Sequence, residues 1–204
     1  VEEAKLAHSL GLDLIITDHH TPAAELPVVL ALINPRLPHC TYPFKGLAGV
    51  GVAYKLACAL LGEEARAYLD YVAVGTVADV APLVGENRLY VKKGLEALAS
   101  PRLCFQALME VAAVKPASVT AGSIGFMLAP RLNAAGRLED AVLPLQLLLT
   151  QDMAKAQALA RELDDFNRAR QRLEAQILAE ALAMVEANSP ALVLYAPQDR
   201  KSTR

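Results

Sequence analysis

The sequence predicts an α/β fold: a parallel sheet with flanking helices, then a helical region and one long connecting helix. Three patterns predict it. A helical stretch at the N-terminus runs directly into an apolar strand, a second apolar strand is stopped by Asn34-Pro35, and a three- to four-residue hydrophobic repeat runs from Asp152 to Asn188. A helix that feeds straight into a strand is the second half of a βαβ unit, because parallel strands need a crossover between them.

The first helix is expected over residues 1–10, with Ala4, Leu6, Ala7 and Leu10 on its apolar side and Gly11 as the residue that ends it. Leu12 to Ile16 reads as a buried strand. Its own first strand is expected upstream of Val1, so the chain reads as a fragment that lacks its N-terminal sheet strands. The strand delivers Thr17-Asp18-His19-His20 at its carboxyl end, which is where open α/β sheets bind ligands. An imidazole beside a carboxylate is also the usual way a metal ligand is held and oriented. This junction is the leading candidate site; the competing reading is a polar helix-start turn.

A second strand is expected over residues 28–33. The glycine cluster Gly46-Leu47-Ala48-Gly49-Val50-Gly51 then opens a helix that runs to Leu61 and is closed by Gly62. No strand directly precedes the glycines and no Lys-Ser/Thr pair follows them, so they read as a tight turn and close helix packing, not as a phosphate cradle. Residues 65–79 are expected to form one buried helix ending at Asp79. An acid at that end opposes the helix dipole, which is unfavourable unless a cation is near, so Asp79 is a candidate metal ligand. Glu86-Asn87-Arg88 reads as a turn before a helix over 89–98. Short helices follow over 105–112 and, capped by Ser118, up to Leu128. Residues 130–138 read as a small-residue turn carrying Arg131, Asn133 and Arg137; arginine suits forked contacts to phosphate oxygens, and the competing reading is an ordinary loop with solvated arginines. On the last helix, Arg161, Arg168 and Arg172 form a polar face, read as solvated with acid partners such as Asp164 and Glu174.

Composition sets limits. The chain has 204 residues, 54% hydrophobic, with a net charge of −2, which gives no overall pull toward nucleic acid. Any such contact must come from local positive charge. The apolar residues are not continuous enough for a membrane span. Cys40, Cys58 and Cys104 are odd in number and scattered, against a disulfide framework or zinc site and consistent with a reducing cytoplasm.

Five motifs in order, TDHH (17–20), INPR (33–36), LAGVGVAYKL (47–56), GTVADVAPL (75–83) and APRLNAAGRLEDA (129–141), resemble the DHH phosphoesterase superfamily and, within it, the bacterial single-strand-specific 5′-to-3′ exonucleases. The resemblance covers the chain to about Ala196. It implies a two-metal site, with manganese or magnesium, that hydrolyses phosphodiesters of single-stranded DNA in repair and recombination. His19 resembles a direct metal ligand. Asp18 resembles the residue that orients it or adds to the site, and His20 one that contacts the phosphate or completes the metal environment. Asp79 resembles the carboxylate of the later metal motif. Arg131, Asn133 and above all Arg137 resemble nucleic-acid contacts.

The family's earlier Asp motifs would fall upstream of Val1, so the fragment is expected to be inactive alone and to bind manganese weakly. The implied division is a partial DHH domain over 1–150, a connecting helix over 151–189 and a truncated start of a second, DHHA1-like domain over 190–198. Residues 199–204 depart from the family and read as foreign sequence. Alternatives are a DHH phosphatase or oligonucleotidase, and a non-catalytic relative acting as a replication scaffold. Intact Asp18, His19, His20 and Asp79 argue against the scaffold. Protein partners are not legible.

Overall fold

Helix α1 (Glu2–Ser9) places Glu2 and Glu3 in its first turn, where negative charge suits the exposed N–H groups. The computed structural model describes residues 1–138 and 141–185, with 136–138 followed by backbone alone. Gly11 adopts φ 71° and closes α1, its N–H bonding to His8 O and the N–H of Leu12 to Ala7 O. That is the six-to-one and five-to-two pattern of a Schellman cap, with glycine at the left-handed position.

Strands β1 (Ile15–Thr17) and β2 (Ala31–Ile33) pair in parallel, Ile15 opposite Ala31 and Thr17 opposite Ile33. The α/β class and the parallel sheet expected from the sequence are both present. The buried strand is not. Leu12 is 59% and Ile15 53% exposed. A parallel strand is buried only when both faces and both edges are covered, and among the described residues β1 has β2 as its one partner. For the same reason only Ala4 of α1 is buried, while Leu6 and Leu10 face outward.

Helix α2 (Gly49–Leu61) starts at the glycine cluster and stops at Gly62, whose φ is 59°. The single helix expected over 65–79 is two pieces: a tight 3-10 segment, Gly62–Tyr68, then α3 (Leu69–Ala78). Glu86-Asn87-Arg88 is not a free turn but the start of α4 (Gly85–Leu98). Glu86 suits the first helical turn electrostatically, and Asn87 is fully buried there. Helices α3 and α4 pack closely because Gly94 has no side chain: a Cβ there would lie 2.2 Å from the Leu69 carbonyl oxygen. Leu47, Val52, Tyr54, Ala65, Val72 and Tyr90 form the core beside them.

Helix α5 (Leu103–Val111) begins two residues earlier than expected, after an extended Arg102. Thr120, not Ser118, caps the next helix. Its Oγ1 accepts from Ser123 N at 3.1 Å and Ser123 Oγ accepts from Thr120 N at 3.3 Å, so two otherwise orphaned donors are satisfied reciprocally. That helix, α6 (Ala121–Ser123), continues through a π turn, Ile124–Leu128, into α7 (Ala129–Leu138). The turn expected over 130–138 is therefore helical. Ala129, Ala134 and Ala135 are strong helix formers, and Pro130 follows directly on the π turn, where the regular hydrogen-bond ladder is already interrupted.

Helix α8 (Val142–Leu149) precedes α9 (Met153–Ala183), the expected long helix. Asp152 caps α9, its Oδ1 accepting from Ala154 N at 2.8 Å and Lys155 N at 3.2 Å. Helix α9 ends at Ala183, with Met184 as its cap, earlier than the end at Asn188 expected from the sequence; Ser189-Pro190, the strand expected over 191–195 and residues 199–204 lie outside the described residues.

The chain forms two compact units. One holds Val1–Ser100 and Pro116–Ala129; the other holds Pro101–Lys115 and the chain from Pro130. In the second, α5 and α8 pack on α9, and Phe105, Leu108, Met109, Leu147 and Leu163 are buried. No helix among the described residues is long and apolar enough to cross a membrane.

Candidate metal centre

All of this site lies in the first unit. The pairing of β1 with β2 continues one residue past the strand, Asp18 N donating to Ile33 O at 3.0 Å. The chain then turns around the Asp18 carboxylate. Its Oδ1 accepts from His19 N at 2.7 Å, His20 N at 3.2 Å and lies 2.8 Å from His20 Nδ1. Partial burial pushes the Asp18 carboxyl up, but the hydrogen bonds from the His20 ring and the two backbone N–H groups outweigh it and hold the group below its ordinary value. Asp18 is thus an anion at neutral pH.

The turn is pinned from β2. Asn34, nearly buried, donates from Nδ2 to His20 O at 2.9 Å and accepts from Arg36 N at Oδ1, also 2.9 Å. Arg36 Nη1 reaches Thr21 Oγ1 at 3.2 Å. Both residues belong to the INPR motif, to which the sequence reading gave no role in the site.

His19 has a further carboxylate at its ring. Its Nδ1 lies 3.5 Å from Asp79 Oδ2, with the His19 side chain 18% and the Asp79 side chain 43% exposed. The carboxylate at the His19 ring is therefore Asp79, whereas the Asp18 carboxylate orients His20. Of the two parts expected for Asp18, orienting His19 or adding to the site, its carboxylate holds the His19 backbone N–H, not the ring, and it stands in the cluster. The two imidazole centroids are 4.3 Å apart, and ligand atoms of Asp18, His19 and His20 all lie within 4.8 Å of one another. Carboxylate oxygens with imidazole nitrogens form a donor set that suits hard or borderline divalent ions such as Mn2+. Asp79 Oδ2, 3.5 Å from His19 Nδ1, brings a second carboxylate to that donor set.

Asp79 is the terminal cap residue of α3. Val80 N bonds to Val77 O and Ala81 N to Thr76 O, again a Schellman cap, but with Val80 at φ 55° in the position glycine normally takes. A β-branched residue there is strained. Gly49, at the start of α2, meets the other side of His19: a Cβ on it would lie 3.1 Å from Cδ2 and 3.5 Å from Nε2. The glycine cluster does provide the close approach read from the sequence, and what it approaches is the histidine.

The nucleic-acid candidates belong to the second unit. Asn133 is exposed on α7. The side chain of Arg137 lies outside the described residues. Arg131 is 15% exposed and holds Asp164, 8% exposed, through Nε at 2.9 Å and Nη2 at 2.8 Å. Asp164 also accepts from Arg168 Nε at 2.8 Å, a pairing of the kind expected on α9, whereas the partner of Glu174 is Arg170, outside the expected set.

A DHH turn at the carboxyl end of a parallel strand, faced by a later aspartate, defines a class: residues 1–76 match the DHH family, N-terminal domain. Within that class, the likeness over almost the whole chain is to RecJ. The single-stranded-DNA-specific exonuclease RecJ of Bacillus subtilis is 50% identical over 187 residues, 91% of this chain and 24% of its own length. That of Thermus thermophilus is 41% identical over 196 residues, 92% of this chain and 28% of its own. The crystal structure of RecJ from Thermus thermophilus in complex with Mn2+ superposes with a TM-score of 0.83 at 38% identity, covering 98% of this chain and 31% of that one. An exonuclease RecJ bound to manganese gives 0.82 at 40% identity, covering 98% of this chain and 52% of that one. The chain thus spans less than a third of the length of these two curated relatives.

Proposed function

We propose that this chain is the metal-binding part of a RecJ-type exonuclease, which hydrolyses phosphodiesters of single-stranded DNA from the 5′ end in repair and recombination, with Mn2+ or Mg2+. One observation carries the reading: Asp18, His19 and His20 converge at the carboxyl end of β1, with Asp79 beside the His19 ring. His19, Asp79 and Asp18 are the proposed ligands, and His20 the group nearest the scissile phosphate. Asp18 holds the His20 ring by a hydrogen bond and is already charged, so neither residue must rearrange to receive a cation. A divalent ion bound there supplies a water ionisable near neutral pH and neutralises phosphate charge. That RecJ of Thermus thermophilus has been solved with Mn2+ and with Mg2+ supports this choice of ions.

Asn133 and Arg137, four residues apart on α7, are the proposed phosphate contacts. Arg131 is committed to Asp164, so its proposed part is to hold α7 against α9. Division into a DHH part to about residue 150 and a connecting helix, and action in the cytoplasm, belong to the same proposal. The test is a Mn2+ titration followed through the histidine ring protons. Selective paramagnetic broadening of His19 and His20, lost in His19→Ala, is expected; uniform broadening of all four histidines would overturn the reading.

A further inference from the structure

Asn87 lies far from the DHH turn in sequence and makes no contact with His19 or Asp79 in the hydrogen-bond network. Yet it is fully buried, and its Nδ2 donates twice, to Gly46 O at 2.7 Å and to Pro82 O at 3.1 Å. Both partners are acceptors, so only the amide nitrogen can face them. Oδ1 has no partner among the described residues, so the side chain is held there for its donors. Gly46 stands three residues before Gly49, the residue against His19. Pro82 stands three residues after Asp79, the carboxylate at His19. One amide therefore ties together the two loops that bring His19 its neighbours.

The first turn of α4 is fixed independently of this amide. Glu86, beside Asn87, accepts from Tyr42 at 2.5 Å and from Tyr90 at 3.0 Å, and pairs with Lys55. Phe44 packs where Gly85, at φ 51°, would carry a Cβ. Replacing Asn87 thus leaves the helix start anchored while freeing the two loops from each other.

We propose that Asn87 is a positioning residue of the metal centre: it sets the spacing of the Gly49 and Asp79 loops around His19. This rests on the metal reading above, and the test separates the two. Asn87→Ala and the nearly isosteric Asn87→Leu are compared with Leu98→Ala, which removes buried bulk from the other end of α4. In the metal-free protein, the proton contact between the His19 ring at Cδ2 and Gly49 is read by NMR, and Mn2+ affinity is read by titration. The expected result is loss of the contact in both Asn87 variants, but not in Leu98→Ala at a matched drop in melting temperature. Mn2+ binding should weaken about 10- to 100-fold, as removal of outer support for a metal site typically does. An intact His19–Gly49 contact in a folded Asn87 variant overturns the clamp. A lost contact with unchanged Mn2+ affinity overturns its role in the metal centre. Absence of Mn2+ binding at His19 in the parent protein defeats the metal reading, and the clamp is then judged on the proton contact alone.

Discussion

Gly49 and His19 are in such close apposition that a methyl group on the glycine would sit 3.1 Å from the imidazole Cδ2. That spacing is tight enough to move the ring by a few tenths of an ångström, but not to break a helix. Gly49 is the first residue of α2, where alanine is still the better helix former, by less than the ~1 kcal/mol of a helix interior. Gly49→Ala should therefore leave the melting temperature unchanged or raise it, while weakening Mn2+ binding several-fold. Thermal denaturation and Mn2+ titration on the same sample check this; parallel losses in both would show that the contact is merely structural.

Asp164 gathers two arginines, Arg131 from α7 and Arg168 from its own helix, at a site where it is nearly buried. Removing the acid takes the shared anion from a largely buried guanidinium, a change that costs more than loss of an exposed pair. Asp164→Ala should lose about 2–3 kcal/mol of stability by urea denaturation. Arg168→Ala, with its head group mostly exposed, should lose well under 1 kcal/mol. Equal effects of the two substitutions would contradict this ordering.

That network also marks where the sequence stopped being legible. The DHH turn could be read because strand, acid and histidines are contiguous, and Asp79 because an acid ending an apolar helix is locally unfavourable. The long helix could be read from its period, and Gly11 from its place after α1. Arg131 was read as a phosphate contact because its partner is 33 residues away on another helix. The positions of Asn87 and Gly49 arise from contacts that cross 41 and 30 residues; the glycine cluster signals a close approach but not its target, and Asn87 leaves no local pattern. Residues 130–138 carry the glycine and proline of a turn, but the π turn just before Pro130 already breaks the regular ladder and two alanines favour the helix. Burial of β1 failed because an apolar run signals what could be covered, not what covers it.

The Tyr42–Glu86–Lys55–Tyr90 group sets an alkaline limit. Burial above all, with the neighbouring Glu86 carboxylate, pushes the Tyr90 hydroxyl from 10.0 up to about 12 against the opposing pull of Lys55. Hydrogen bonds to Glu86 and the tyrosines outweigh desolvation at Lys55 and raise it too. An unfolded chain releases the tyrosine proton near pH 10, whereas the folded one retains it to about 12. The contribution is thus complete below pH 10 and declines as pH rises from 10 toward 12. Urea midpoints measured across that range should fall less steeply for Tyr90→Phe than for the parent. At neutral pH that variant should lose about 1 kcal/mol, the size of one partly exposed hydrogen bond.

Val80 offers the opposite case, a residue whose replacement should stabilise. The caps of α1, α3 and α5 share one hydrogen-bond pattern, and their left-handed residues are Gly11, Val80 and Ala113. Glycine takes that conformation without penalty, whereas a side chain on the α carbon costs about 1–2 kcal/mol. Val80 is 87% exposed, so its side chain returns almost no burial energy in exchange. Val80→Gly should raise stability by about 1 kcal/mol, offset only in part by the greater freedom of glycine in the unfolded chain. Because Asp79 is the residue just before it, the same substitution frees the carboxylate that faces His19. Mn2+ affinity should fall even as the urea midpoint rises. A valine at a position that favours glycine, beside a proposed ligand, is then explained by the order it imposes on Asp79; a rise in both quantities would show that the strain serves nothing at the metal centre.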